Sequence, residues 1–292
     1  MKTNVLNDLI TTGSINKETI EIFSKNTRDN SNLNVNIDTT SGVIFIEDFY
    51  VGHVEYEKGN YKENSSNLEF NEFENYEDKE DSKRRVDDFK DYIKDKKVCD
   101  FGCGKGSFLR LAREYSNNLY GVELQENYAI LLENNGIRCE DKINKHKTMF
   151  DTIFSFHTLE HLPNQIEVLK NLKNYINIGG SLIIEVPHAN DFLLKNLQVE
   201  EFKEFTLWSQ HLILHTKKSL TNFLTYSGYK DIEIVGFQRY GIANHLGWLK
   251  NKKPGGHKSE LANIETPDLL EEYQNALKQV DVTDTIIAIA KV

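Results

Sequence analysis

From about residue 84 onward, apolar and polar positions alternate in blocks that switch between two periods. Short runs rich in β-branched and aromatic residues predict strands at 97–101, 119–123, 137–140, 151–156 and 181–186. Between them, apolar residues at helical spacing predict helices at 84–95, 106–116 and 126–135, and another opened by Pro163. In that last one Ile166, Leu169, Leu172 and Ile176 share one face. Asn135-Gly136 and Gly179-Gly180 supply helix stops. A helix at 218–227, a strand at 231–237, a helix at 267–280 and a closing strand at 285–291 complete the chain. This strand–helix rhythm is that of an α/β fold with a parallel sheet.

The rhythm fails in three places. Residues 1–83 read as an N-terminal leader, with a helix expected at Asn16–Lys25 and a strand at 42–46. The acidic, Asn-rich stretch from Glu57 to Asp81 carries Tyr56 at its edge and Tyr61, Phe70, Phe73 and Tyr76 within it. Its charge predicts exposure and its aromatics predict docking, so it is expected to form a lid. The remaining residues, 84–292, form one domain with insertions at 188–216 and 239–283; residues 239–259 read as a long loop. Both insertions follow strand C-terminal ends, where open α/β sheets bind ligands.

Composition narrows the function. The 292-residue chain carries a net charge of −10, which argues against an extended nucleic-acid footprint. Cys99, Cys103 and Cys139 have neither disulfide nor zinc spacing, so no metal is expected and a reducing cytoplasmic location fits. The first residues lack the apolar core of a signal peptide, and no apolar run approaches the ~20 residues that span a bilayer.

The chemistry concentrates at Asp100-Phe-Gly102-Cys-Gly104-Lys-Gly106, on a strand-to-helix turn. Alternating glycines allow a sharp bend and close approach of a ligand to the main chain. The spacing is not the G-x-G-x-x-G of a dinucleotide fold. A carboxylate at the strand end would repel a pyrophosphate and favour a cationic group. Glu123, seventeen residues after Gly106, ends the next strand and is placed to accept hydrogen bonds from ribose hydroxyls.

Val98 to Gly106 together with Glu123 resembles the first motifs of the class I S-adenosylmethionine (SAM) dependent methyltransferases. The resemblance covers residues 84–238 and the final strand. It implies a Rossmann-like fold with a seven-stranded, mostly parallel sheet whose last strand is antiparallel. It further implies that Asp100, Gly102, Gly104 and Gly106 hold the methionine end of SAM, that Glu123 holds the ribose, and that Leu124 flanks the adenine. Glu140 or Asp141 would meet the adenine amine, with Asp141 preferred. His157-Thr-Leu-Glu160-His161-Leu-Pro-Asn resembles the family's fourth motif, with His157 near the methionine moiety and Glu160 and His161 near the methyl group.

His161 is a candidate general base, since a neutral imidazole removes a hydroxyl proton near neutral pH. His211 and His215 precede the helix at 218 and are expected to line one pocket wall. Arg239, Tyr240, His245 and His257, with Lys252, Lys253 and Lys258, form a basic island in an acidic chain that suits a phosphate-bearing substrate, with Gly255-Gly256 letting main-chain N–H groups approach the anion. The resulting expectation is methylation, at oxygen in preference to carbon or nitrogen, of a sugar, nucleotide-sugar or phosphorylated precursor of a bacterial surface polysaccharide. The rival readings are a nicotinamide-dependent oxidoreductase and a non-catalytic SAM-binding protein.

Overall fold

The computed structural model describes residues 3–52 and 76–292. Strands β1 (Ile20–Ser24), β2 (Val35–Asp38) and β3 (Ile44–Phe45) precede the parallel rhythm. β4 (Val98–Phe101), β5 (Leu119–Val122), β6 (Arg138–Glu140), β7 (Phe150–Phe156) and β8 (Ile176–Pro187) carry it. β9 (Ile213–Leu214), β10 (Lys230–Phe237) and β11 (Thr285–Lys291) follow. The main sheet has seven strands in the order β10-β11-β8-β7-β4-β5-β6. Only β11 runs antiparallel to its neighbours, β8 and β10; the other pairings are parallel. The expected fold is therefore the observed one.

The strands read as near-continuous apolar runs because both faces of the sheet are covered. On one face Phe89, Phe108, Phe154 and Phe156 pack ring to ring, with Phe108 and Phe154 centroids 4.9 Å apart. On the other, Phe150, Leu169, Leu172 and Phe223 are fully or almost fully buried. Ile166, Leu169 and Leu172 do share the buried face of helix Gln165–Lys173; Ile176 instead begins β8. None of the described helices is long and apolar enough to cross a membrane.

Three expectations need correction. Residues 16–25 are not a helix: a 3-10 turn at Lys17–Thr19 leads directly into β1, in antiparallel register with β2 (Ile20 opposite Asp38). Glu21 and Ile22 are both exposed, so it is the pairing with β2, and not an alternation within the segment, that makes it a strand. Residues 239–259 are not a long loop, because helix Ile242–Asn251 lies within them and buries Trp248. The boundary at 83/84 falls inside helix Tyr76–Asp88. Residues 57–75, most of the expected lid, lie outside the described residues.

The leader's described strands also do more than precede the domain. β3 pairs with β9 from the 188–216 insertion (Ile44 opposite Leu214, Phe45 opposite Ile213), completing a four-stranded antiparallel sheet β1-β2-β3-β9. The Asp29 carboxylate accepts hydrogen bonds from the Ser209 N–H and hydroxyl, and Ile46 N–H donates to the Leu212 carbonyl at 2.9 Å.

Candidate active site

The glycine loop joins β4 to helix Ser107–Ala112, and all three of its glycines have positive φ: Gly102 +82°, Gly104 +53°, Gly106 +73°. They are required for different reasons. A Cβ on Gly102 would stand 2.3 Å from Thr158 Oγ1, and one on Gly106 would stand 2.1 Å from Leu132 Cδ2. A Cβ on Gly104 would meet nothing within 4 Å, so this residue borders open space.

Asp100 lies at the end of β4, 4% exposed, and its Oδ1 has no hydrogen-bond partner. Burial pushes its carboxyl up to about 7; the nearby Arg85 guanidinium only partly offsets this, while Glu123 and Asp78 add to it. On the neighbouring strand, Glu123 accepts hydrogen bonds from Gly104 N–H at 2.8 Å and Gln125 N–H at 2.9 Å. Its carboxylate thus ties the loop to the tip of β5. Leu124 follows it, half-buried. Asp141 sits just past β6, where its carboxylate pairs with Lys145 at 2.6 Å on the surface.

The segment after β7 is the densest part of the site. His157 has φ +48°, a left-handed conformation uncommon outside glycine, and its ring lies between two fully buried carboxylates. Nδ1 is 3.3 Å from Glu160 Oε1 and Nε2 is 3.2 Å from Glu185 Oε1. Burial alone would lower its pKa, but the two carboxylates prevail and raise it. Burial would raise Glu160, yet the adjacent imidazoles of His157 and His161 hold it at about 2. His161 Nδ1 donates to the Gln210 carbonyl at 2.8 Å, so in the neutral ring Nε2 bears the lone pair. That Nε2 lies 3.9 Å from Glu160 Oε1. His211 packs its ring 5.2 Å from that of His161 and 5.3 Å from Trp208. Burial and the neighbouring His161 push His211 down to about 3.

Glu185, near the end of β8, also receives Arg84 at 2.7 Å and Arg85 at 2.6 Å from helix Tyr76–Asp88. The same helix places Asp78 to accept from Ser107 Oγ at 2.7 Å, at the start of the helix after the glycine loop. Arg84, Arg85 and Glu185 were not among the expected site residues. A contact between residues about a hundred positions apart has no local signature. Only the adjacent arginines ahead of the first strand, and an acid where β8 should be apolar, hinted at it.

Other candidates are placed elsewhere. His215 is not a pocket residue: it is fully buried, its Nδ1 against Ser219 Oγ at 2.9 Å, its Nε2 against Gln165 Oε1 at 2.8 Å, its ring on Phe223. The turn at 209–210, closed by His211 N–H on the Trp208 carbonyl, precedes His211, and the two rings meet different partners, His161 and Trp208 for His211 and Phe223 for His215. Arg239 is committed to Asp81, and the main chain of Arg239 and Tyr240 donates to Asp284. His245 is buried, stacked on Phe192 and bonded to Tyr273 Oη at 2.6 Å. Tyr240 lies against His257, whose Nδ1 faces Asn244 Oδ1 at 3.3 Å. Gly256 is needed for packing: a Cβ there would stand 2.2 Å from the Ala243 carbonyl, and a Cβ on Gly247 2.6 Å from Gly256 Cα. The expected anion cradle is a close crossing of backbone under helix Ile242–Asn251.

Comparison with known proteins agrees with this geometry. The profile of a family described as "Methyltransferase domain" matches residues 70–234. A tRNA U34 carboxymethyltransferase of Nautilia profundicola is 25% identical over 162 residues, covering 51% of this chain and 52% of its own. A ubiquinone biosynthesis O-methyltransferase of Coxiella burnetii is 27% identical over 108 residues, covering 34% of this chain and 46% of its own. The chain thus spans about half the length of the curated relatives it matches. Among solved structures, a SAM dependent methyltransferase from Archaeoglobus fulgidus superposes with a TM-score of 0.51 at 20% identity, covering 73% of this chain and 94% of that one. The nicotinamide alternative is set aside by the family match, which covers more than half of the residues and includes both motifs that excluded a dinucleotide: the chain belongs to the methyltransferase-domain family.

Proposed function

We propose that this protein is a SAM-dependent O-methyltransferase acting on a small hydroxylated acceptor, with sugars, nucleotide-sugars and sugar phosphates as the first class to test. SAM is the cofactor, and the residues present fit it. The observation that carries the reading is the pair of carboxylates at the tips of β4 and β5, one of them buried with an oxygen that lacks a donor, beside a glycine that borders open space. A buried, donor-less carboxylate is costly unless a cationic ligand group supplies the missing partner. Asp100 would take the ammonium of the methionine moiety, Glu123 the ribose hydroxyls, and Leu124 and Asp141 the adenine end. When bound, SAM supplies a methyl group made electrophilic by its sulfonium.

The remaining chemistry belongs to the histidine segment. His161, its tautomer set by the Gln210 carbonyl, accepts the acceptor's hydroxyl proton at Nε2. His157, held by Glu160 and Glu185, fixes the loop that covers Gly102 through Thr158. Arg239 and His245 are held by Asp81 and Tyr273, which weighs against an anion-binding role for them.

Similarity to a tRNA-modifying protein raises an RNA acceptor as a second reading. The net charge of −10 weighs against it, because phosphate-backbone contacts supply most nucleic-acid affinity. The test is methyl transfer from radiolabelled SAM to three pools: sugars and nucleotide-sugars, aromatic phenols, and bulk tRNA. Label in the first pool, lost in His161→Ala, is the expected result. Label in tRNA alone overturns the small-molecule reading. SAM binding without transfer to any pool makes the protein a non-catalytic binder.

A further inference from the structure

The structure assigns a divalent transition-metal site to Glu160, His161 and His211. These three side chains come from two segments distant in sequence: the 3-10 turn Leu159–His161 that follows β7, and the stretch just before β9. One ligand atom from each lies within 4.8 Å of the others. The two segments are clipped together by Leu212 N–H donating to the Glu160 carbonyl at 2.8 Å. The convergence is therefore built into the backbone and does not depend on side-chain placement alone.

Several independent features point to a cation. Glu160 is fully buried with the His157 ring 3.3 Å from Oε1, but its Oε2 receives no hydrogen bond, and His211 Nδ1 is likewise buried without a partner. Burying a carboxylate in this way is unfavourable unless it is paired or coordinates a metal. His161 shows the support common to ligating histidines: one ring nitrogen donates to a backbone carbonyl, Gln210, which directs the other toward the cluster. His157 stands behind Glu160 at 3.3 Å in the place of an outer partner that orients a ligating carboxylate.

Two imidazoles and one carboxylate suit Zn2+, Mn2+, Fe2+ or Co2+ better than Ca2+ or Mg2+, which prefer all-oxygen shells. Three protein ligands among the described residues leave coordination positions for a water or substrate oxygen. Bonds of about 2.0–2.2 Å require the three atoms to draw inward by roughly 1 Å. The site's existence is independent of the methyl-transfer reading; its purpose rests on that reading, and with metal bound His161 Nε2 is a ligand and no longer the base, the metal instead holding an oxygen of the acceptor and lowering its pKa.

The experiment is titration of the full chain, stripped with EDTA and dialysed, with Zn2+ and Mn2+ by calorimetry and with Co2+ by visible absorption. SAM binding is measured in parallel. One equivalent of Zn2+ or Co2+ per chain is expected, with Co2+ bands characteristic of nitrogen ligation. Affinity should fall at least tenfold in Glu160→Gln and in His211→Ala, with SAM binding retained in His211→Ala. Absence of stoichiometric metal binding by the wild type, or unchanged binding in both variants, overturns the site. If a variant fails to fold, the wild-type Co2+ spectrum decides alone, an oxygen-only spectrum counting against the proposal. Loss of SAM binding by the wild type would defeat the functional reading and leave the metal result standing.

Discussion

Gly106 lies directly beneath Leu132: a Cβ on the glycine would come within 2.1 Å of Leu132 Cδ2, and its φ of +73° already disfavours any side chain. Gly106→Ala should therefore destabilise the fold by about 2–4 kcal/mol, combining overpacking with left-handed backbone strain. Gly104→Ala, which meets nothing within 4 Å, should cost only about 1 kcal/mol from strain and instead weaken SAM binding. Thermal unfolding and SAM titration of both variants separate the two effects. If the clash is the cause, Leu132→Ala should cost less stability in the Gly106→Ala background than in the wild type, where it empties a fully buried position.

Glu123→Ala removes the acceptor for Gly104 N–H and Gln125 N–H together with the proposed ribose acceptor. Affinity for SAM and S-adenosylhomocysteine should drop roughly 10- to 100-fold, the scale of a lost hydrogen bond to a charged group. Calorimetry giving wild-type affinity would remove Glu123 from the cofactor site.

Asp100, pushed up to about 7, is partly protonated near neutrality. A ligand cation favours its charged form, so SAM should bind more tightly as pH rises from about 5.5 to 7 and then level off, releasing a proton on binding below pH 7. Calorimetry in buffers of different ionisation enthalpy measures that proton. For stability the sign is opposite: a raised carboxyl contributes stability that is fully present below its unfolded value of 3.8 and is lost as pH rises through about 7. Asp100→Asn should flatten both profiles.

The buried Glu185 carboxylate is held well below its ordinary range; burial opposes this, but Arg85, His157 and Arg84 outweigh it. Arg85→Ala leaves that charge with one fewer partner and should cost about 3–5 kcal/mol, the scale of a broken buried pair. Denaturant midpoints check this. A loss below about 1 kcal/mol would place the pair with ordinary surface bridges.

His215 and His211 are both lowered to about 3, chiefly by burial. Both are neutral in the fold, so their contribution is fully present above the unfolded value of 6.5 and is lost as pH falls below it toward 3. The urea midpoint should decline between pH 6.5 and 4.5. His215→Gln should reduce that decline if acid instability originates in this core histidine.

Much of this molecule is legible in its sequence because parallel strands buried on both faces leave near-continuous apolar runs such as Leu182-Ile183-Ile184. The glycine loop is legible because positive φ and close approach leave few alternatives to glycine. Legibility ends where geometry depends on distant partners. Nothing near Ile20–Ser24 states that it will pair with β2, and nothing near Gly255-Gly256 states that a helix will cross it. The histidines show the same limit: His211 and His215 look equivalent in sequence, but one stands beside Glu160 and the other is in the core beside Phe223.

The pairing of Ile44 and Phe45 with Leu214 and Ile213 makes the N-terminal strands a structural wall for what stands two residues away. Cutting the chain back to its alternating core would strip a neighbour from β9, leave a raw sheet edge, and release the anchor that fixes His211. A shortened form could keep its nucleoside crevice and still lose the partner side chain of Glu160, so the segment that looks most dispensable by its irregular sequence is the one that would separate a binder from a catalyst.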